Sequence, residues 1–206
     1  MEAIVIPEMT GAILAGGSRG GMTGIDRALL PIAGEKLIER QVKELRKLCA
    51  EIIVVTNEPK PLFGVLGGDV RIITDFFPGG GPLGGMHSAL RLARHSAVWI
   101  VGGDMPFVSA KAAEKLIAAG GGPRDAVIPI VRGKPVPLHG IYDKQCADAA
   151  AKLLARGESG WTAYLGEITW QAVPADDFAT GETGLNFAYS IGRREEHELA
   201  VRQLTR

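Results

Sequence analysis

Glycines and two arginines follow the first apolar segment of the chain, a combination suited to binding phosphate. Five glycines fall within the nine positions 16–24. Residues without a Cβ let backbone N–H groups turn toward an anion, and Arg19 and Arg27 add positive charge. Two of the glycines have Walker A spacing, but Met22 occupies the position of the lysine, and no dinucleotide fingerprint fits. The segment is therefore a phosphate loop of another kind or a flexible connection.

Two aspartates, Asp75 and Asp104, come shortly after segments rich in Val and Ile. Carboxylates just beyond the ends of parallel strands point into the crevice where ligands bind. Mg²⁺ commonly takes one or two carboxylates together with substrate phosphates, so such an aspartate opposite a phosphate loop is suited to hold it. Aspartate is also frequent in turns and helix caps, which gives each residue a simple structural explanation.

The elements that must position these residues alternate between strands and helices. Continuous apolar runs predict buried strands, and helical spacing of apolar residues predicts helices between them. The alternation predicts an α/β fold with a doubly wound, mostly parallel sheet, helices on both faces and a ligand crevice at the strand carboxyl ends. The predicted strands are 11–15, 52–56, 70–74, 97–101 and 126–131, and the predicted helices are 37–48, 83–94 and 111–119.

The last third of the chain predicts an α+β extension of the same core. We expect strands at 136–142 and 168–173, helices at 146–156 and 161–165, and a terminal amphipathic helix at 193–204 that docks on the domain. The chain has 206 residues, a length at which a single hydrophobic core can still support the whole fold. We therefore expect one domain, residues 1–206.

Composition excludes several classes of function. Lys+Arg and Asp+Glu both number 23, so no basic excess favours a nucleic acid or a membrane surface as partner. Cys49 and Cys146 lie far apart, which excludes a zinc knuckle and favours a reducing compartment. Residues 1–10 do not read as an export signal. We expect a cytoplasmic protein.

The glycine-rich segment resembles the signature loop of sugar-nucleotide nucleotidyltransferases, and most closely that of the molybdenum cofactor guanylyltransferases (MobA type). Three positions depart from the family pattern: Gly21 replaces an arginine, Thr23 replaces a glycine, and Arg27 replaces a lysine. The resemblance implies a Rossmann-like nucleotidyltransferase fold. The resemblance rests on Leu14, Ala15, Gly16, Gly17, Met22, Gly24, Asp26, Leu29 and Leu30, with Arg27 keeping the charge of the family lysine.

Two further motifs carry the resemblance through the first half of the chain. Residues 81–86 are similar to the family's Gly-Pro-Leu-Ala-Gly loop, and Asp75 stands where a nucleotide-contacting aspartate precedes it. Asp104 resembles the family's metal ligand, with Gly103 in place of a cysteine. The likeness of 133–142 and 154–158 to the pterin-side strand and helix is weaker.

These motifs imply a set of site residues. Asp104 would hold Mg²⁺, and Arg27 and Asp104 would act in catalysis. Arg19 would reach the space of the family arginine that Gly21 replaces. The nucleotide would contact Leu14, Ala15, Gly16, Gly17, Arg19, Arg27, Asp75, Gly81, Pro82, Leu83 and Asp104.

Two other positions depart from the family. Val55 occupies the place of an asparagine that holds guanine, with Asn57 two residues further on. Residues 189–193 replace the family's Asn-x-Asn-Thr-Pro segment, so its polar side chains are missing.

The resemblance implies that the chain transfers GMP from GTP to molybdopterin and releases pyrophosphate, with Mg²⁺ as cofactor. It also implies transient contact with cofactor-synthesis proteins or molybdoenzymes. One alternative is a cytidylyl- or other nucleotidyltransferase acting on a phosphorylated acceptor. Another is a degenerate, non-catalytic carrier of GTP or the pterin, consistent with the departures at Gly21 and Val55. A purely structural module is the third.

Other residues with chemical potential receive structural interpretations. We expect His87 at the surface or capping a helix, Trp99 in the core, and Cys49 inert on an apolar helix face. Trp161 is interpreted as a packing residue, with contact to a pterin ring as the alternative.

Overall fold

The computed structural model of the chain describes residues 8–19, 22–120, 124–179 and 184–205. Strands and helices alternate along most of this length. Their bounds, in chain order, are β1 (Met9–Leu14), β2 (Ser18–Arg19), β3 (Met22–Thr23), α1 (Gly24–Ala28), β4 (Pro31–Ile32), β5 (Glu35–Lys36), α2 (Leu37–Leu45), β6 (Glu51–Val55), β7 (Val70–Ile73), α3 (Gly81–Leu92), β8 (Ala97–Gly102), α4 (Ala110–Ala119), β9 (Ala126–Val131), β10 (Lys134–Pro135), β11 (Gly140–Asp143), α5 (Ala147–Ala155), α6 (Trp161–Gly166), β12 (Trp170–Val173), α7 (Asp176–Ala179) and α8 (Arg194–Leu204).

A large mixed sheet organises the fold. Its strand order is β10-β9-β11-β8-β1-β6-β7, and β12 pairs with β9 beside β10. Strand β1 is parallel to β6 and β8, and β6 is parallel to β7. Strand β11 is antiparallel to both β8 and β9, whereas β12 is parallel to β9. The predicted mostly parallel sheet is confirmed, with β11 as an antiparallel insertion.

Helices cover both faces of the sheet, as the continuous apolar strands predict. In β6, Ile52 and Val54 pack in one core cluster with residues of α2 and α4. Ile53 and Val55, which alternate with them, pack in a second cluster with residues of α3 and α5. Because successive side chains of a strand point to opposite faces, a strand buried on both faces must be apolar throughout.

The predicted strand at 136–142 is wrong in its first half. The observed strand β11 begins only at Gly140, and the preceding residues connect it to β10. Pro137 has no N–H for a ladder, and His139 has a φ of +98°, outside the extended region. The turn between β9 and β10 contains Arg132 and Gly133, both with positive φ, which suits a tight hairpin.

Two short hairpins were not predicted. One, β2 with β3, lies within the glycine-rich segment, and the other, β4 with β5, turns at Ala33 and Gly34, both with positive φ. Each of these strands has two residues, so no periodicity marks it in the sequence.

The terminal helix α8 docks on the fold as expected. Its Ala200 forms a small apolar cluster with Ile32, Leu37 and Ile191. This contact brings the segment before α8 close to the carboxyl end of β8, which matters for the site below. In the described ranges, no helix is long and apolar enough to cross a membrane.

Candidate active site

A crevice of about 510 Å³ opens at the carboxyl edge of the parallel strands. Leu14, the last residue of β1, is in register with Val55 of β6 and Gly102 of β8. Val55 is in turn in register with Ile73 of β7. The strands therefore end on one line, and the loops that follow them meet. The crevice is lined by Leu14, Gly16, Gly17, Arg27, Val55, Thr56, Asn57, Asp75, Gly79, Gly81, Pro82, Gly85, Gly102, Gly103, Asp104, Leu138 and Trp161.

The glycine-rich loop forms one wall of the crevice. Ala15 continues the sheet, since its N–H donates to the Val55 carbonyl at 2.9 Å. Gly17 has a φ of +76°, a conformation that other residues adopt only with strain. No heavy atom lies within 4 Å of where a Cβ at Gly16 or Gly17 would stand, apart from their chain neighbours. The loop thus offers backbone to the crevice without side-chain obstruction.

Arg27 is held at this wall by helix α1. The Asp26 N–H donates to the Thr23 hydroxyl and the Thr23 N–H donates to the Asp26 carboxylate, at 3.2 and 3.1 Å, which closes the first turn of the helix. Thr23, a departure from the family pattern, therefore caps α1. Arg27 is only 6% exposed and lines the crevice. Its guanidinium can bind a phosphate in two-point fashion.

Arg19 has its backbone in β2, and its side chain is outside the described part of the structure. Gly21 also lies outside the described residues. The predicted phosphate contact of Arg19 therefore stays a prediction.

Asp104 stands two residues beyond β8, is half-buried and lines the crevice. The chain before it approaches the glycine-rich loop closely: the Gly103 N–H donates to the Leu14 carbonyl at 2.9 Å. A Cβ at Gly103 would stand 2.9 Å from that oxygen and 3.0 Å from the Cα of Ala15. The glycine at this position therefore allows the close packing of the two loops.

Two segments fix the backbone around Asp104. The buried Gln41 of α2 donates through Nε2 to the carbonyls of Gly102 and Met105, at 2.8 and 2.9 Å. The Ile191 N–H donates to the Asp104 carbonyl at 2.8 Å. The segment that lacks the family's polar side chains thus still supports Asp104 through its main chain.

The donor set around Asp104 fits a Mg²⁺ ion brought by phosphates. The described residues contain no group of three or more His, Cys, Asp or Glu side chains that could hold a metal by themselves. Mg²⁺ usually keeps several non-protein ligands and uses one or two carboxylates plus substrate phosphates. The single carboxylate of Asp104, in the same crevice as the glycine-rich loop, meets that requirement.

Asp75 lines the same crevice from the loop after β7. Its Oδ1 accepts a hydrogen bond from the Phe77 N–H at 2.8 Å and lies 3.3 Å from the Ser88 hydroxyl, while its own N–H donates to Asn57 Oδ1 at 3.1 Å. Burial raises the pKa of the Asp75 carboxyl, and the bonds from Phe77 and Ser88 oppose that rise. A Cβ at Gly84 would stand 2.8 Å from Asp75 Oδ2, so this glycine lets α3 approach the carboxylate.

Eight of the predicted nucleotide residues line the crevice, and two others do not. Ala15 is 1% exposed and Leu83 is fully buried, so both side chains belong to the core. Their local sequence matches the family because it forms the strand-loop junction and the first turn of α3. The eight lining residues are Leu14, Gly16, Gly17, Arg27, Asp75, Gly81, Pro82 and Asp104.

Several residues of the crevice wall were not among the predicted nucleotide-binding residues. Thr56 and Gly79 carry no pattern of their own. Leu138 reaches the wall from the irregular connection before β11, and Trp161 from the first position of α6. Asn57 also lines the crevice, two residues beyond Val55, which occupies the position of the family's asparagine.

His87 neither lies at the surface nor caps a helix, since it is buried within α3, so that expectation is wrong. It is 5% exposed, and its ring meets Phe76 and Phe77 edge-on at centroid distances of 5.9 and 4.9 Å. Burial lowers the pKa of His87. Trp99 is fully buried in the core, as predicted, and burial raises the pKa of the Cys49 thiol to about 12, which agrees with an inert side chain.

A second cavity, of about 650 Å³, lies at the opposite edge of the sheet. It is lined by residues at the beginnings of β1, β8 and β9. None of the predicted site residues lines it, and an open α/β sheet binds ligands at its carboxyl edge. The crevice around Asp104 is therefore the candidate active site.

Comparison with known protein families decides the classification. The MobA-like NTP transferase domain matches residues 11–169, which include every strand that borders the crevice. The chain belongs to this family. The match begins within β1 and ends before β12, so the terminal helix lies outside it.

Individual proteins that resemble the chain support its place in the MobA-like NTP transferase family. The chain is 36% identical over 146 residues to a probable molybdenum cofactor guanylyltransferase of Carboxydothermus hydrogenoformans, a match that covers 71% of each chain. It is 26% identical over 192 residues to the molybdenum cofactor guanylyltransferase of Desulfosudis oleivorans, covering 93% of this chain and 94% of the relative. The crystal structure of molybdopterin-guanine dinucleotide biosynthesis protein A from Archaeoglobus fulgidus superposes with a TM-score of 0.79 at 24% identity, covering 96% and 99% of the two chains, and shares the fold.

Proposed function

We propose that this nucleotidyltransferase moves GMP from GTP to the terminal phosphate of molybdopterin and releases pyrophosphate. One observation carries the proposal: the structure brings the open glycine loop, Arg27 and Asp104 to a single crevice. The names of the relatives supply the donor and the acceptor. The half-buried carboxylate of Asp104 opposite a cationic loop is the arrangement that a transfer between phosphates needs.

Different residues of the crevice would bind different parts of the substrates. Arg27 and the amides of residues 16 and 17 hold the triphosphate, and Asp75 with Asn57 lies at the nucleoside end. A phosphate oxygen of the acceptor forms a bond to the α-phosphorus of GTP, and the bond from that phosphorus to the β-phosphate bridging oxygen breaks. The electron pair leaves with pyrophosphate, whose charge Arg27 stabilises.

Asp104 is the residue that would hold Mg²⁺, together with oxygens of the triphosphate. When bound, the ion would neutralise charge on the transferring and leaving phosphates. Gln41 and Ile191 keep the Asp104 backbone in place for this role.

The first test is thermal unfolding with GTP, CTP, ATP and dTTP, each with and without Mg²⁺. A ligand at about 100 times its dissociation constant adds roughly 2.7 kcal/mol, which raises the midpoint of a domain of this size by about 5 to 10 °C. We expect the largest shift with GTP and Mg²⁺, followed by pyrophosphate release when molybdopterin is added.

Each other outcome selects a different function. A larger shift with CTP would identify a cytidylyltransferase, for which the family's asparagine at the position of Val55 is not required. A GTP shift without pyrophosphate release would identify the non-catalytic carrier. No shift with any nucleotide would contradict both enzymatic functions.

A further inference from the structure

The segment that leads into α8 lies against the loop that carries Asp104. The Ile191 N–H donates to the carbonyl of Asp104 at 2.8 Å. Two residues before Ile191, the ring of Tyr189 meets the ring of Phe107 edge-on at a centroid distance of 5.9 Å. The segment therefore contacts the loop at Asp104 itself and again three residues further along the chain.

The contact from Ile191 constrains Asp104 in a way that the contacts from Gln41 do not. Gln41 binds the carbonyls of Gly102 and Met105, on either side of Asp104, whereas Ile191 binds the carbonyl of Asp104 itself. A planar peptide unit that is fixed at its oxygen can no longer rotate freely about the adjacent Cα–C bond. The Ile191 contact therefore restricts the rotation that would shift the Asp104 carboxylate relative to the crevice.

Glu196, in the first turn of α8, fixes the backbone on both sides of Ile191. Its Oε2 accepts hydrogen bonds from the N–H groups of Gly192 and Arg193, at 2.5 and 2.9 Å. Its main-chain carbonyl accepts a hydrogen bond from the Tyr189 hydroxyl at 2.9 Å. Bonds from backbone amides to a carboxylate are stronger than bonds between neutral groups. One side chain thus closes the turn that presents the Ile191 N–H.

Helix α8 is itself held on the body of the protein, so Glu196 has a fixed support. Ala200 is fully buried in a small apolar cluster with Ile32. The Nε2 of His197 lies 2.7 Å from the carbonyl of Pro31. These contacts tie the helix to the hairpin between α1 and α2, and Glu196 transmits that support to the segment before the helix.

We propose that Glu196 is a positioning residue for the reaction: through residues 191–193 it holds the Asp104 backbone in the orientation that the carboxylate needs to hold Mg²⁺. The proposal rests on the proposed function, because the role of Asp104 comes from it. Helix α8 lies outside residues 11–169, which match the family domain, so this support comes from a part of the chain that the domain does not include. A misplacement of about 1 Å at a reacting group can cost about 100-fold in rate.

The test compares Glu196→Ala, Glu196→Gln and Glu198→Ala. For Glu196→Ala we expect kcat to fall about 10- to 100-fold, while the Kd for GTP without Mg²⁺ changes less than about 2-fold, since Glu196 does not line the crevice. Glu196→Gln should restore kcat to within about 3-fold of wild type, because its amide oxygen can accept both N–H groups. Pyrophosphate release and calorimetry measure the two constants.

Two controls separate positioning from general stability. Glu198 lies on the same helix, is exposed and pairs only loosely with Arg194, at 3.5 Å, so Glu198→Ala should leave kcat unchanged. Glu51, buried at the opposite edge of the sheet, forms an ion pair with Arg71, and Glu51→Ala should lower stability without lowering kcat per folded molecule. A loss of kcat in Glu196→Ala alone is therefore not explained by a less stable fold.

Hydrogen exchange provides a readout that needs neither substrate nor metal. The Ile191 amide, bonded to the Asp104 carbonyl, should be protected in the wild type. In Glu196→Ala we expect its exchange, followed by NMR, to become at least about 10-fold faster, while the amides of β1 keep their protection. Glu196→Gln and Glu198→Ala should exchange at Ile191 as the wild type does.

Four results would overturn the proposal. The first is an unchanged kcat in Glu196→Ala while the wild type turns over, and the second is wild-type protection of the Ile191 amide in that variant. The third is an equal loss of GTP affinity, which would place Glu196 at the nucleotide. The fourth is an inactive Glu196→Gln with a protected Ile191 amide, which would mean that the charge acts directly. A wild type that releases no pyrophosphate would contradict the proposed function, and the exchange rates would then decide alone whether Glu196 holds Ile191 against Asp104.

Discussion

The two edges of the central sheet are built for different purposes. At the amino edge, the carboxylate of Glu51 in β6 is 4% exposed and forms ion pairs with Arg71 and Arg94. It also accepts hydrogen bonds from the Thr10 hydroxyl and the Arg94 N–H, at 2.7 and 2.9 Å. At the carboxyl edge, Asp104 instead lines an open crevice.

The difference shows where polar groups stabilise the fold and where they remain exposed to a ligand. Glu51 ties β1, β6, β7 and the end of α3 together, because its partners come from each of these regions. At the carboxyl edge the fixing contacts are made by main chain and by Gln41, and the acidic side chain faces the cavity. We therefore expect replacement of Asp104 at the carboxyl edge to lower activity, and replacement of Glu51 at the amino edge to lower stability.

The largest expected effect is that of Asp104→Asn on turnover. Loss of the carboxylate removes the protein ligand proposed for Mg²⁺, and we expect a fall in kcat of about 10³-fold or more, equivalent to roughly 4 kcal/mol. The melting temperature should stay within about 2 °C of wild type, since Asp104 is outside the core. Steady-state pyrophosphate release and calorimetric unfolding measure the two quantities.

Asp69→Asn is the matched control for Asp104→Asn. Asp69 lies just before β7, at the amino edge, where its carboxylate pairs with Arg46 at 2.6 Å and is largely exposed. The Asp69→Asn substitution should leave turnover and stability almost unchanged. Equal activity of the Asp104→Asn and wild-type proteins would remove Asp104 from the site.

Glu51→Ala should have the converse effect. Removal of one partner from a buried ion pair costs about 3 to 5 kcal/mol. Arg71 and Arg94 are 32% and 73% exposed and can turn to water, which reduces the expected loss of stability to about 2 to 3 kcal/mol. The melting temperature should fall by about 5 to 10 °C, with kcat per folded molecule unchanged.

The pH dependence of Glu51→Gln isolates the charge. Burial by itself raises the pKa of the Glu51 carboxyl, but the Arg94 N–H, the Thr10 hydroxyl and Arg71 outweigh it, and the pKa is lowered. A carboxyl with a lowered pKa stabilises the folded state above its unfolded pKa of about 4.3 and loses that contribution as the pH falls further. The stability difference between wild type and Glu51→Gln should be constant above about pH 5 and shrink below pH 4. A difference that grows in acid would contradict the assignment.

Local patterns were sufficient to predict the buried strands β1, β6, β7, β8 and β9, and the acids that follow β7 and β8. Strand 126–131 matches β9 at both ends, because a continuous apolar run bounded by polar residues marks a buried strand. Asp75 and Asp104 reach one crevice because parallel strands in register end at the same edge. Contacts that depend on tertiary placement had no such signal.

Two contacts illustrate that limit. Gln41 bonds to a carbonyl 61 positions away, and only the packing of α2 on the sheet brings them together. His87 is buried and its ring meets that of Phe77, from the preceding loop, edge-on, a contact that no spacing in the sequence shows. Trp161 likewise enters the crevice wall from an element outside the parallel strands.

Ser88→Ala tests whether a buried side-chain hydrogen bond holds Asp75 in place at the carboxyl edge, as buried hydrogen bonds hold Glu51 at the amino edge. The Ser88 hydroxyl is fully buried, accepts from the Phe76 N–H at 2.8 Å, and lies 3.1 Å from the Gly84 carbonyl and 3.3 Å from Asp75 Oδ1. It can donate its one proton to either of these oxygens, so it links the Asp75 loop to α3. Its loss should cost about 1 to 2 kcal/mol of stability, because the Phe76 N–H loses its partner.

The effect of Ser88→Ala on the reaction should be confined to GTP binding. The proposed function assigns Asp75 to the nucleoside and Asp104 to the phosphates, so we expect the KM for GTP to rise about 3- to 10-fold while kcat stays within about 2-fold of wild type. Ser159→Ala, at an exposed residue, is the control and should change neither. A purely structural serine would lower stability without moving the KM for GTP. That result would show that Asp75 is positioned by its backbone and Phe77 alone, and that the two edges differ more sharply than proposed.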